Sequence, residues 1–267
     1  MSKPLITTGS VDGKLLKISS YSVGMGDGED SFDPSRRNFL KIVAIASVGV
    51  AAVGILKGGI SNLIAPTVGL SAFPSLTIYD TSGKPLTYEN LPLSSAQVVT
   101  FEYPLQDDPS FLINLGDSSG KPLDITTPPK PKSALTGTTY TYPTGVGPTG
   151  SQSVVAFSAI CQHAGCVPPS IKYYPPNTEI PNVFSASQNK LGLIHCSCHG
   201  STYDPTSGAS IVTGPTQNPL PGVFLKYDPT THEFAAYKMT GPTIFGRQSD
   251  LTGGSPLSTN YTEIKVG

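Results

Sequence analysis

Cys161-Gln162-His163-Ala164-Gly165-Cys166 and Cys196-Ser197-Cys198-His199-Gly200-Ser201 are the two stretches on which the reading of this chain turns. Each begins with Cys and places a His two or three residues on, so one tight loop can present a sulfur and a nitrogen donor together. Thiolate and imidazole are donors for iron or zinc. All four cysteines of the chain fall in these stretches, and the count alone allows two disulfides or one metal site. At this level zinc and iron both stand.

Working outward, the surrounding sequence is built of short apolar or alternating runs at 76–79, 96–103, 111–115, 154–160, 191–196, 223–227 and 234–239. Their separators are turn chemistry. Asp117-Ser118-Ser119-Gly120 and Asp204-Pro205-Thr206-Ser207-Gly208 predict two hairpins, since Asp and Ser cap turns and Gly accepts positive φ. Residues 126–152 are dense in Pro, Thr, Gly and Tyr without alternation and are expected to be an insertion or long surface loop. With 28 Gly, 26 Pro and no Trp, the composition favours an all-β body of short strands and many turns. Charged residues make up only 13% and the net charge is -1, so no basic stripe exists to neutralise nucleic acid. Carboxylates form no paired acid/base arrangement, and neither G-x-S-x-G nor a P-loop occurs, so no hydrolase or NTPase site is expected. His195 and His232 are read as a strand residue and a turn residue, not as ligands. Asn260-Tyr261-Thr262 fits a glycosylation sequon.

The N-terminal region has its own logic. Residues 1–34 are polar, with Asp27, Glu29 and Asp30, and read as a flexible cytoplasmic tail. Ser35-Arg36-Arg37-Asn38-Phe39-Leu40-Lys41 resembles the twin-arginine export signal at every position, and an apolar run from Ile42 to Leu56 follows directly. That run is 15 residues, against about 20 for a full bilayer crossing. Apolar character resumes past Lys57, which can snorkel, and no A-x-A follows, so an uncleaved anchor over 35–65 is expected. Arg36, Arg37 and Lys41 orient the tail inside and the body outside. A glycine-bearing linker over 66–75 would leave the head free to swing.

The two cysteine stretches resemble the Rieske proteins of cytochrome bc-type, quinol-oxidising respiratory complexes, whose boxes read C-x-H-x-G-C and C-x-C-H-G-S; both are complete here. The resemblance implies an all-β Rieske-type antiparallel β-sandwich/barrel head over 76–246, with a cluster-binding subdomain over about 154–222, one N-terminal transmembrane helix before it and a C-terminal tail over 247–267. It further implies one [2Fe–2S] cluster, with Cys161 and Cys196 on one iron, His163 and His199 on the other, and Cys166 bridged to Cys198 as a disulfide between the loops. His163 and His199 would also meet quinol. Ser201 and Tyr203 stand where high-potential members place hydroxyl donors to cluster sulfurs. Gly214-Pro215-Thr216-Gln217-Asn218-Pro219-Leu220 resembles in part the proline loop that covers the cluster. The boxes are farther apart than is common in the family, and Pro168-Pro169 and Pro175-Pro176 imply an inserted loop within 167–195.

The implied function is one-electron transfer from quinol to a cytochrome or a terminal oxidase, in partnership with a cytochrome b-type membrane subunit, at the outer face of the cell membrane. Three alternatives stand beside it: the Rieske small subunit of an exported molybdenum oxidoreductase such as arsenite oxidase, a soluble dioxygenase-type ferredoxin, and a structural zinc module of a secreted binding protein. The ferredoxin would need neither Cys166 and Cys198 nor an export signal.

Overall fold

The structure is a computed structural model that describes residues 8–11, 14–17, 73–247, 251 and 254–267. The expected anchor over 35–65 and most of the linker over 66–75 lie outside the described residues. Among the described residues no helix is long and apolar enough to cross a membrane. In the stretch read as a tail, β1 (Thr8–Val11) pairs antiparallel with β2 (Lys14–Lys17). The chain divides into two units, 1–60 and 61–267, and the second carries the head.

Seven strands of the head close a barrel: β3 (Leu76–Tyr79), β4 (Val99–Glu102), β5 (Pro109–Asn114), β6 (Val154–Ser158), β11 (Gly222–Tyr227), β12 (Phe234–Thr240) and β13 (Tyr261–Val266). Around the barrel they run β11-β12-β3-β13-β4-β5-β6. An odd number of strands cannot alternate direction all the way round, and the parallel pair β13–β3 is where the alternation breaks. A second sheet, in the order β10-β9-β8-β7, is made of β7 (Ile171–Tyr174), β8 (Leu193–Cys196), β9 (Thr202–Asp204) and β10 (Ser210–Thr213), all antiparallel.

Alternation explains how one strand serves two cores. In β6, Val154 and Ala156 face the barrel interior with Leu76, Ile78, Phe101, Tyr103 and Phe234. Val155 and Phe157, pointing the other way, join Phe111, Ile113, Ile171, Ile194 and Tyr203 in a second core that also takes in Cys161 and Cys196. Both faces of β6 are therefore buried, which is why its sequence reads as an unbroken apolar run. The cysteine sulfurs sit where this second core runs out into the loops.

Three expectations change on contact with the fold. Residues 247–267 do not all form a tail: Tyr261–Val266 is the barrel strand lying between β3 and β4, pairing Tyr261 with Thr77 and Ile264 with Phe101. The 126–152 stretch is no mere surface loop, because Tyr140 and Tyr142 enter the second core and the Tyr142 hydroxyl donates to the Leu220 carbonyl at 2.7 Å. Within 167–195, Ile171–Tyr174 is a strand paired with β8, so the inserted loop is confined to 175–192. There the Asn189 amide ties the loop down by donating to the Tyr174, Pro175 and Thr178 carbonyls.

One buried charge stands out. Asp108, only 1% exposed, accepts from the Arg247 guanidinium at 2.8 Å. Burial pushes its carboxyl up to about 6, with Arg247 pulling the other way and Glu102 and Asp107 adding repulsion. A raised carboxyl favours the folded head most when protonated, so this contribution is complete below the ordinary value of 3.8 and is lost as pH rises through about 6. Asp108→Asn should flatten that segment of the stability profile, measured by thermal melts between pH 3 and 7.

Candidate metal centre

Two loops form the centre, and the backbone builds both in the same way. In the first, the Cys161 N–H donates to the Cys166 carbonyl at 2.9 Å and the Gly165 N–H to the Cys161 carbonyl at 2.9 Å. In the second, the Cys196 N–H donates to the Ser201 carbonyl at 2.8 Å and the Gly200 N–H to the Cys196 carbonyl at 3.0 Å. Gly165 and Gly200 take φ of +75° and +82°, a conformation open to glycine at little cost. Each loop is thus anchored at its Cys by a ring of backbone bonds, which frees the side chains between to point at one another.

Among the site residues named from sequence, the two histidines meet, and two of the four cysteines are bonded to each other. The rings of His163 and His199 lie 4.8 Å apart, edge to face. Cys161 and Cys196 are free thiols, both buried, while Cys166 and Cys198 are joined as a disulfide that ties one loop to the other. The sulfurs of Cys166, Cys196 and Cys198 lie within 4.8 Å of one another, a spacing that on its own suggests a metal triad. Two of those sulfurs are spent in the disulfide and cannot act as thiolates. The donors left are two thiols and two imidazoles.

These residues fit a cationic cluster. Burial pushes the Cys196 thiol up to about 11, with Cys161 beside it adding repulsion, so Cys196 ionises readily only against a neighbouring positive charge. Nδ1 of His163 is buried and has no hydrogen-bond partner, and neither has the buried Oγ of Ser201. Such orphaned atoms are costly in a core unless a bound group satisfies them. The Tyr203 hydroxyl lies 3.4 Å from the Cys161 sulfur and accepts from the Gln162 N–H at 3.2 Å. Burial raises the Tyr203 phenol well above its ordinary range, so it stays protonated and able to donate.

The loop at 214–220 packs against the second ligand loop. A side chain on Gly214, at φ +90°, would meet the Gly200 carbonyl at 2.4 Å and the Ser201 backbone at 2.5 Å, so only glycine allows the approach. The 126–152 stretch braces this loop from outside: the Ala134 N–H donates to the Gln217 carbonyl at 2.8 Å and the Ser133 hydroxyl to the Asn218 side chain at 2.6 Å. Pro215 is exposed. His195 is a buried strand residue, its Nδ1 2.9 Å from the Thr202 hydroxyl, and burial lowers its pKa. His232 pairs with Glu89 in an exposed turn. Sequence reasoning missed Gln162, Ser133 and Asn218, because their partners lie far along the chain and no local pattern marks them.

Two thiols and two imidazoles on paired, disulfide-tied loops of an all-β body are the donor set of a Rieske centre, and also of a Cys2His2 zinc site. Residues 131–225 match the Rieske [2Fe-2S] domain, and the chain carries such a domain, an iron–sulfur electron carrier. A putative respiratory nitrate reductase subunit Rieske from Haloferax mediterranei is 29% identical over 87 residues, 33% of this chain and 31% of that protein, so the chain aligns with under a third of that relative's length. The cytochrome b6-f complex iron-sulfur subunit of Synechococcus sp. strain JA-3-3Ab is 24% identical over 205 residues, 76% of this chain and 88% of that protein. Among solved structures, the soluble domain of the Rieske protein II from Sulfolobus acidocaldarius is 29% identical, with 70% of this chain and 87% of that one covered at a TM-score of 0.46.

Proposed function

We propose that this chain is the Rieske subunit of a membrane quinol-oxidising complex, with Cys161 and Cys196 holding one iron and His163 and His199 the other. The observation that carries the assignment is the orphaned, buried Nδ1 of His163 beside the His199 ring, on loops whose two other cysteines are buried thiols that the disulfide leaves free. When bound, a Rieske cluster supplies a one-electron acceptor with a potential of about −150 to +300 mV, against roughly −400 mV for an all-cysteine plant-type centre. The chain's own residues supply the rest. Nδ1 of His163 is buried, and Nε2 of that ring is the nitrogen left over; once deprotonated in the oxidised state, Nε2 of a ligating imidazole can accept a hydrogen bond from a quinol hydroxyl and take its proton, a role we assign to His163 and His199. His199 is exposed and His163 half-buried, which suits a face offered to a partner.

The surface around the two histidines supports docking. Beside His163 lies a hollow of about 460 Å³ whose wall includes Leu135, Pro215 and Phe245. Leu135, Phe245 and Val167, the last next to Cys166, are large apolar side chains left exposed. A cytochrome b-type subunit is the occupant we assign to that face, with a cytochrome or an oxidase centre as the acceptor. The longer alignment is with a b6-f subunit, which supports this reading. A twin-arginine signal and a single anchor over 35–65, with the head outside the membrane, complete the proposal.

The second reading is the Rieske subunit of another exported oxidoreductase, and the shorter match to a nitrate reductase subunit supports it. Purifying the chain from its native membranes in mild detergent separates the two. A b-type cytochrome should accompany it, and quinol added to the preparation should reduce its EPR-visible centre. Recovery with a molybdopterin subunit and no b haem would move the assignment to the second reading.

A further inference from the structure

Beyond β12 the chain turns at Gly241 and Pro242 and lays Thr243, Ile244 and Phe245 across the first ligand loop. This strap lies outside the residues matched to the Rieske domain, which end at 225. Ile244 is buried in the barrel core, so one side of the strap is fixed. Its other side meets Gln162, which stands between Cys161 and His163 and is itself buried. With its amide oriented to suit its neighbours, Gln162 donates to the Thr243 carbonyl at 3.1 Å and accepts from the Phe245 N–H at 3.1 Å. The Phe245 ring closes over Gly165, where an added Cβ would lie 2.8 Å from it. The first ligand loop is therefore held on both sides of His163.

What holds the strap is Arg247. Its N–H donates to the Ile244 carbonyl at 2.9 Å, closing the turn. Its guanidinium donates to Asp108 Oδ1 from Nε at 3.1 Å and from Nη2 at 2.8 Å, and Nη2 also reaches the Asp107 carbonyl at 3.3 Å. Asp108 stands at the entry to β5, a strand whose two faces serve both cores, so the far end of the tie is rigid. Two donors converging on one oxygen, Oδ1, of a buried carboxylate fix a geometry that a flexible ammonium would not.

We propose that Arg247 is a positioning residue for the metal centre: anchored on Asp108, it draws the 243–245 strap onto Gln162 and Gly165 and so fixes the loop that carries His163. The inference rests on the ligand assignment above. Its logic is that a metal ligand is only as well placed as the outer partners that orient its loop.

The full chain with its cluster loaded provides the test. Arg247→Ala alone would strand a buried carboxylate and risks unfolding, so the tie is cut two other ways. The pair Asp108→Asn with Arg247→Leu removes both charges, and Gln162→Leu keeps the volume while losing the two hydrogen bonds to the strap. Both should release iron to a chelator at least about ten times faster than the parent, followed by loss of visible absorption, and both should shift the g-values of the reduced centre. Arg247→Lys, which keeps the charge without the fork, should fall between. Unchanged release and unchanged g-values in both variants would overturn the proposal. Faster release with unchanged g-values and a lowered melting temperature would also overturn it, leaving Asp108–Arg247 a fold-stabilising pair only. If the parent chain itself binds no cluster, the ligand assignment fails instead, so the two failures are told apart.

Discussion

Cys161→Ser and Cys196→Ser should leave the chain without the visible absorption and low-temperature EPR signal of a Rieske centre, whereas Cys166→Ser and Cys198→Ser should still load it. The contrast follows from where the four sulfurs stand. Cys161 and Cys196 are free and buried in the second core, and under the proposed ligand set removing either would leave an iron with one sulfur donor from the protein. Cys166 and Cys198 are already bonded to each other across the loops. Cutting that bond costs no ligand. It frees a closure spanning 32 residues, for which chain entropy gives roughly 4 kcal/mol of lost constraint on the unfolded state. The disulfide variants should therefore bind the cluster and lose it more readily on warming or on exposure to chelator. Iron and sulfide analysis beside the spectra would decide it. Loading of Cys161→Ser together with no loading of Cys166→Ser would reverse the assignment of ligand and bridge.

Tyr203→Phe and Ser201→Ala should keep the centre and lower its midpoint potential. Tyr203 places its hydroxyl 3.4 Å from the Cys161 sulfur, and Ser201 is buried with an Oγ that has no partner among the described residues. A donor aimed at a cluster sulfur stabilises the more negative reduced state, so its removal makes the protein a weaker oxidant. A hydrogen bond to a charged group is worth about 1.5–3 kcal/mol, and only the difference between the redox states counts. At about 59 mV for each tenfold change in a one-electron couple, the shift should run from tens of millivolts to about 100 mV. Protein-film voltammetry measures it directly. Equal midpoints in parent and both variants would leave Ser201 and Tyr203 as core residues of a hairpin with no tuning role.

Much of the site was legible because its chemistry is local. Cys161 to Cys166 and Cys196 to Ser201 each form a self-closed loop, so residues close in sequence stay close in space. The barrel strands that alternate or run apolar without a break, such as Val154–Ser158, were equally plain. Tyr261–Val266 was not, since only Thr262 is buried, the strand is flanked by Gly and Ser, and its place depends on partners near residues 77 and 101. Ile171–Tyr174 hid behind prolines on both sides. The hold of Gln162 on the strap, and of Asp108 on Arg247, joins residues 81 and 139 positions apart, and no period or motif spans such distances.

The strand order also has a consequence in time. Both ligand loops are complete once Ser201 has been made, yet the strand that joins β3 to β4 begins only at Tyr261. On a chain emerging from the ribosome, β4 can already pair with β5 and, somewhat later, β3 with β12, while the facing edges of β3 and β4 wait for a partner. Unpaired strand edges are templates for wrong association. A nascent head of this kind passes through a stage in which its iron-binding loops exist but its barrel stands open along one seam, and that seam is the surface a chaperone would have to cover until the last strand arrives.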